Sequence, residues 1–229
     1  ELVFDPPAED MSDGADHPKQ SAQALRKLVH QSNSEILIES AYFILGDDQL
    51  DALQQIHARG VRVASLTNSL ASNDLTTNHA GYARRRPAML AKGLELYELR
   101  PDAAACTVWI EAPGFCDIGA ASLHAKSFVV DRERVYIGSL NLDPRSVVLN
   151  TEVGVMIESV EISESVAKSM NLLMGPQWSF RVLLEDGDLI WVGADADGNE
   201  VRFTVEPDTS GWKRFKTKFL GLLPIEGQI

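Results

Sequence analysis

Residues 122–146 read SLHAKSFVVDRERVYIGSLNLDPRS, and the fold turns on this stretch. Two apolar runs, SFVVD and RVYIG, meet at a tight turn around RER and read as paired strands. Successive side chains of a strand alternate faces, so His124 and Lys126 point the same way, with Phe128 and Val130 behind them. The strand runs from a polar mouth into a core. Asp131 has the opposite parity and points elsewhere. The turn brings Gly138, Ser139 and Asn141 back beside the first strand's start, and Glu152 opens the next strand at the same end. His, Lys, Ser, Asn and Glu thus converge at one edge of an apolar sheet. Burying such groups together is costly without a ligand or tight pairing, so the edge calls for a function.

Outward from this stretch, strands alternate with helices. ELVF is a short strand, followed by an acidic loop to about residue 18. SAQALRKLVHQS carries Ala22, Leu25, Leu28 and Val29 at helical spacing, with Ser21 as its expected N-cap. EILIES (35–40), VRVASLTN and LELYELR are apolar strands. DDQLDALQQIHARG between the first two is a helix, acidic at its start and closed by Gly60. NDLTTNHAGYARRRPAMLAKG is a helical region expected to break near Pro87. Residues 105–121 form a loop with one strand-like piece, TVWI, and a turn is expected around Asp143-Pro144. TEVGVMIES is a strand and VEISESVAKSMNLLM a helix. SFRVLLEDGDLIWVGADADGNEVRFTVEP then reads as three antiparallel strands joined by Asp-Gly and Gly-Asn turns. The expected class is α/β, a mixed sheet flanked by helices on both faces. It divides into residues 1–176, carrying the motif, and residues 177–229, a small antiparallel meander with a terminal amphipathic helix.

Composition narrows the function. A chain of 229 residues with 45% apolar and 24% charged residues can bury a full core. No apolar run is long enough to span a bilayer. The net charge of −12 disfavours a general nucleic-acid binder, which needs a basic surface. Charge is uneven, however: Arg84, Arg85 and Arg86 form a run, and Lys213, Arg214, Lys216 and Lys218 cluster near the end. Cys106 and Cys116 lack zinc-like spacing and read as free thiols or small apolar filler.

The converging set has a chemical logic. An imidazole is a nucleophile toward phosphorus once its other nitrogen donates to a carboxylate. Lysine and asparagine hold the non-bridging oxygens of a phosphate as charge builds. Such donors replace a metal, so neither metal nor cofactor is expected. HAKSFVVD followed by GSLN resembles the HxKxxxxD…GSxN signature of the phospholipase D superfamily. NLDPRS, NTEVGV, ESAYFILG, LTNSLASND and HAGYARRRP extend the likeness to the C-terminal half of bacterial cardiolipin synthases of the C type, over nearly the whole chain. The resemblance implies that His124 is a catalytic histidine, that Lys126 and Asn141 grip phosphate, and that Ser139 adds a hydrogen bond. It makes Glu152 the group that orients His124 and gives the motif's Asp131 a structural role, pairing with an arginine or fixing the turn.

The superfamily uses two such motifs about a pseudo-twofold axis, and this chain carries one. His17 and Lys19 have the right spacing, but position 24 is alanine and no GSxN-like partner follows. The chain is therefore half of a longer two-motif protein or one subunit of a symmetric dimer. The expected activity is phospholipase D-type phosphodiester transfer on phospholipids, leading to cardiolipin, at the inner face of a bacterial membrane from the cytoplasmic side. The rival readings are a dimeric nuclease of the same superfamily and a catalytically silent lipid-binding domain.

Asn68, Ser69 and His79 follow a strand in LTNSLASND and beyond, where loops of α/β sheets line sites, and are candidate headgroup contacts. The plainer alternative there is a helix cap from Asn73 or Asp74. His30 and His57 read as ordinary helix residues, and Arg84 to Arg86 as a solvated helix face. Trp212, Phe215, Phe219 and Leu222 lie at helical spacing among Lys and Arg, before Pro224. Such a helix either lies in a membrane interface or docks on the core or on the missing half.

Overall fold

The structure, a computed structural model, describes residues 1–6, 19–103 and 122–222. The acidic loop's residues 7–18, His17, TVWI, Cys106, Cys116 and Pro224 lie outside them. A short strand β1 (Leu2–Phe4) precedes α1 (Gln20–His30), β2 (Glu35–Ser40), α2 (Asp47–Ala58), β3 (Arg62–Asn68), α3 (Thr76–Ala91) and β4 (Leu94–Leu99). The motif strands β5 (Lys126–Val130) and β6 (Arg134–Gly138) follow, then a short helix α4 (Pro144–Val148), β7 (Val153–Glu158) and α5 (Val160–Leu173). The chain continues through β8 (Ser179–Glu185), β9 (Asp188–Ala194), β10 (Glu200–Phe203) and α6 (Gly211–Leu220).

All these strands join one ten-stranded sheet of order β1-β7-β6-β5-β2-β3-β4-β8-β9-β10. Only β2, β3 and β4, linked by α2 and α3, pair in parallel; every other pair is antiparallel. The period-2 rule assigns the two faces. On one face Ile36, Ile38, Phe128, Val130 and Tyr136 pack with Leu25 and Leu28 of α1, Leu50, Leu53 and Ile56 of α2, and Tyr82 and Met89 of α3. On the other, Leu37, Ala64, Val129 and Val135 pack with Ala167, Met170 and Leu173 of α5. Helices thus cover both faces. The meander of β8, β9 and β10 forms, and β8 pairs with β4 over Leu96↔Val182 to Leu99↔Ser179, so it prolongs the same sheet.

Several local expectations change. α1 starts after Lys19, and Ser21 is a buried helix residue whose backbone N–H donates to Asp5 Oδ1 at 2.8 Å. α3 runs through Pro87 without ending. Tyr82, Arg86 and Met89 are buried along one of its faces, and that anchoring outweighs the hydrogen bond that proline removes. The Asp143-Pro144 turn is the start of α4, with Asp143 accepting from Ser146 N at 2.8 Å and Pro144 at the helix's first turn. Arg86 is not on a solvated face: it is buried, paired with Glu98 at 2.6 Å and Glu206 at 2.9 Å.

Candidate active site

Ser40, at the carboxyl end of β2, is the register partner of Lys126. The antiparallel entry of β5 therefore sets the first residues of the motif where β2, β3 and β4 all end. His124 lies just before β5 and is exposed at this rim. Lys126 is only 8% exposed, and its Nζ donates to the His124 carbonyl at 2.8 Å. Burial lowers its pKa below the usual lysine range, and Glu152, Asp143 and Asp74 act against that shift. Three carboxylates thus act through space on an ammonium that makes one hydrogen bond among the described residues.

Glu152 is buried just before β7. Its backbone N–H donates to Asp5 Oδ2 at 3.0 Å, so Asp5 fastens both Glu152 and the start of α1. Its carboxylate accepts from the Ser139 hydroxyl at one oxygen and from Asn150 Nδ2, at 3.2 Å, at the other. Ser139 is held in turn by its N–H to the Val153 carbonyl at 2.8 Å, and its Oγ accepts from Val153 N at 3.0 Å. Among the described residues no hydrogen bond joins Glu152 to the His124 ring. Asn141 is buried, and its Oδ1 has no hydrogen-bond partner among the described residues.

Packing explains the glycine that opens GSLN. Gly138 pairs with Gly154 across the sheet, and the Tyr136 ring lies over both. A Cβ at either glycine would collide with that ring. Tyr136 is fully buried; burial, with Glu152 nearby, pushes its hydroxyl up to about 12. It stays a neutral phenol wherever the site can operate.

The structure separates the other candidates. Asp131 lies past the far end of β5, roughly 20 Å from His124 by strand rise. Its carboxylate accepts from the backbone N–H groups of Asn33, Ser34 and Glu35, and from Ser34 Oγ at 2.9 Å. Arg134 approaches it at 3.7 Å. Asn68 is buried and spends its side chain on the backbone: Nδ2 donates to the Ala41 and Leu123 carbonyls, and Oδ1 accepts from Leu123 N at 2.8 Å. It steadies the segment entering the motif rather than facing a ligand. Ser69 is buried against Ser72 at 3.0 Å. His79 is 0% exposed and bonds Glu206 at 3.1 Å, inside the charged cluster around Arg86. Neither is at a surface.

Three side chains join the site that the residue pattern did not single out. Asp143 is buried, burial raises its pKa, and its charge acts on Lys126. Asp74, which does not cap α3, accepts from the Tyr42 hydroxyl at 3.1 Å. Asp5 supports Glu152 from β1's end. Only Asp143 carried a sequence signal, as the aspartate of an N-cap followed by proline. Among the described residues no group of His, Cys, Asp and Glu is placed to hold a metal ion.

Comparison with known proteins gives the family. The family described as "Cardiolipin synthase, PLD-like domain" matches residues 25–174. The chain is 38% identical to cardiolipin synthase C of Escherichia coli over 205 residues, which is 89% of this chain and 43% of that protein. It is 24% identical to cardiolipin synthase B of the same organism, over 69% of this chain and 33% of that protein. The chain thus spans less than half the length of these curated relatives. Among solved structures, phosphatidylserine synthase of Haemophilus influenzae aligns with a TM-score of 0.55 and 15% identity, over 79% of this chain and 39% of that one. Nuc, a phospholipase D family member from Salmonella typhimurium, aligns with a TM-score of 0.50 and 17% identity, over 75% and 90%.

Proposed function

Because the chain belongs to the phospholipase D-like domain family of the cardiolipin synthases, we propose that it supplies one half of a phosphatidyl-transfer site. The observation that carries the reading is the buried Lys126 ammonium under the exposed His124, beside Asn141, Ser139 and Glu152 at one sheet edge. Lys126 and Asn141 hold the non-bridging oxygens of a phospholipid phosphate and stabilise the charge of the transition state. Ser139 and Asn150 hold the Glu152 carboxylate, whose negative charge opposes the lowering of the Lys126 pKa by burial and favours an imidazolium as it forms.

His124 is one of two histidines that do the chemistry. One attacks phosphorus, forming a P–N bond as the bond to the departing alcohol breaks. The other gives that alcohol its proton. A second alcohol then attacks the phosphohistidine, losing its proton to the same base, and the P–N bond breaks. With phosphatidylglycerol as donor and acceptor the products are cardiolipin and glycerol.

The second histidine belongs to another half, either elsewhere in a longer chain or on a second copy. The sheet offers a surface for it. Leu2 and Phe4 of β1, Val153 and Val155 of β7 and Ile137 of β6 are exposed on the face that α5 covers further in, beside Ser139. Uncovered apolar strands next to a half-built site fit a protein partner better than water.

The test is conversion of phosphatidylglycerol, followed by mass spectrometry, in a preparation that contains both halves. His124→Ala is expected to lower turnover by about 10⁴-fold or more, as removal of a nucleophile or its proton partner does. Quenching in alkali is expected to trap the lipid phosphate on histidine. Full turnover by His124→Ala ends the reading. No turnover by the wild type with both halves present would instead favour a silent lipid-binding domain.

A further inference from the structure

We propose that α6 is an interfacial anchor that lays the mouth of the site against an anionic lipid surface. The helix docks on the protein by its polar side. Thr217 is its buried residue, Lys213 Nζ reaches the Ala71 carbonyl at 3.5 Å, and Arg214 donates to Thr209. The apolar side faces outward. Trp212 is 72% exposed, Phe215 60%, Phe219 56% and Leu222 78%, and the Trp212 and Phe215 rings stack with centroids 5.6 Å apart. At about 100° per residue Trp212, Phe215 and Phe219 fall within one narrow sector of the helix, with Lys216 on one flank, Lys218 on the other and Leu222 just past its end. Both lysines are exposed, and neither has a hydrogen bond or ion pair among the described residues.

An amphipathic helix that hides its hydroxyl and shows its aromatics is ordered by an apolar phase outside the protein. The cations decide which phase. From Gly211 to Leu222 there are four basic residues and no acid, in a chain of net charge −12. A basic rim around aromatic rings matches a membrane interface of anionic headgroups. The uncovered strands of β1, β7 and β6 differ: Leu2, Phe4, Ile137, Val153 and Val155 form an apolar face that has no lysine or arginine on it, as a protein partner fits.

Position adds the functional point. Lys213 holds Ala71, in the loop that follows β3, and that loop carries Asp74, which acts on Lys126. The helix is therefore fixed to the rim of the site. Its seating on a bilayer presents the rim to the headgroups. The direction of that presentation rests on the phosphatidyl-transfer reading; the anchoring itself does not.

The experiment is co-sedimentation of the 229-residue protein with sucrose-loaded vesicles of phosphatidylcholine, with and without phosphatidylglycerol. The wild type is expected to sediment with the mixed vesicles and weakly with phosphatidylcholine alone. Trp212→Ser, Phe215→Ser and Phe219→Ser combined should lower that affinity about tenfold or more. Lys216→Glu with Lys218→Glu should abolish the preference for phosphatidylglycerol. The substituted side chains are exposed, so an unchanged thermal midpoint checks the fold. His124→Ala should bind as the wild type does, so failure of the chemistry and failure of the anchor are separately visible. Wild-type affinity in the triple variant, or no vesicle binding by the wild type, overturns the proposal. So does a wild-type oligomer, seen by light scattering, that the triple variant dissolves into monomers, since the face would then be a protein interface.

Discussion

Lys126 has the exposure of a core residue and the chemistry of a surface one. A lysine that grips a phosphate oxygen does so only while protonated, and burial has moved this one below the ordinary lysine range. The alkaline limb of the rate profile should therefore fall at a lower pH than an exposed lysine would give. Lys126→Arg keeps the charge at every accessible pH. It should shift that limb upward while lowering the rate by about 10–100-fold through misfit of the larger group, at the scale typical of a displaced catalytic contact. A profile of kcat/KM against pH for both proteins checks this, and an alkaline limb unmoved in the variant would remove Lys126 from phosphate binding. That His124, Lys126, Ser139, Asn141 and Glu152 gather at one end of the sheet was legible from the chain alone, because each lies at or just outside the end of β5, β6 or β7, and the hairpin brings those ends together. Asp5 and Asp74 were not legible. Each acts through residues far away in sequence, and no spacing rule links Asp5 to Glu152 or Asp74 to Tyr42.

At the scale of elements, Asp131 shows how the motif's last residue contributes without touching the site. It sits at φ 54 and Arg132 at φ 56, the two central positions of the tight turn joining β5 to β6. From there its carboxylate gathers the three N–H groups at positions 33–35, which lead into β2. Burial alone would raise its pKa, but the Glu35, Ser34 and Asn33 N–H groups hold it below the usual aspartate range. A depressed carboxylate stabilises the fold above its unfolded-state pKa, and that contribution is lost as pH falls. Asp131→Ala should cost about 2–4 kcal/mol, since it strands several donors and puts alanine in a left-handed conformation. Asp131→Asn should cost less, since asparagine tolerates that conformation and still accepts. Chemical denaturation of both variants decides the order, and the reverse order would refute the staple. α2 could be read from its acids and its terminal glycine, whose φ is +81. α4 could not, because five residues are too few to show a period. Pro87 misled for a related reason: local propensity marks a break, and only the packing of Met89 and Arg86 shows that the helix continues.

The whole molecule is tied together by a buried polar cluster on the side away from β5. Glu98 of β4 accepts from Tyr82 at 2.6 Å, Arg86 at 2.6 Å and Trp191 Nε1 at 2.8 Å. Glu206, in the connection after β10, accepts from Arg86 at 2.9 Å and from His79. The Arg86 guanidinium also stacks 4.8 Å from the Trp191 ring centroid. These contacts lock α3 and β4 to the meander. Burial opposes ionisation of Glu206, yet His79 and Arg86 bring its pKa from 4.5 to about 2. That displacement corresponds to about 3 kcal/mol, present above pH 4.5 and lost progressively as pH falls toward 2. Glu206→Gln should therefore be less stable than the wild type by about 2–4 kcal/mol near neutrality, with the gap closing in acid. Unfolding curves across that range test it, and a pH-independent gap would assign the loss to packing. Arg84 is exposed as the solvated reading expects, and Arg86 departs from it because its partners, Glu98 and Glu206, come from a strand and a connection that only the fold brings together.

The mixed direction of the sheet has one more effect. Because β5 runs against β2, the reacting groups arrive on an antiparallel hairpin, while Tyr42 and Asp74 arrive on loops that leave parallel strands. Two separate construction rules meet along one rim. The hairpin tolerates almost no editing, since each residue's face is set by its neighbour's and Tyr136 fills the space over both glycines. The loops are bound by no such register. The fold sets one side of the rim by strand register and leaves the other side to loops that can change one residue at a time.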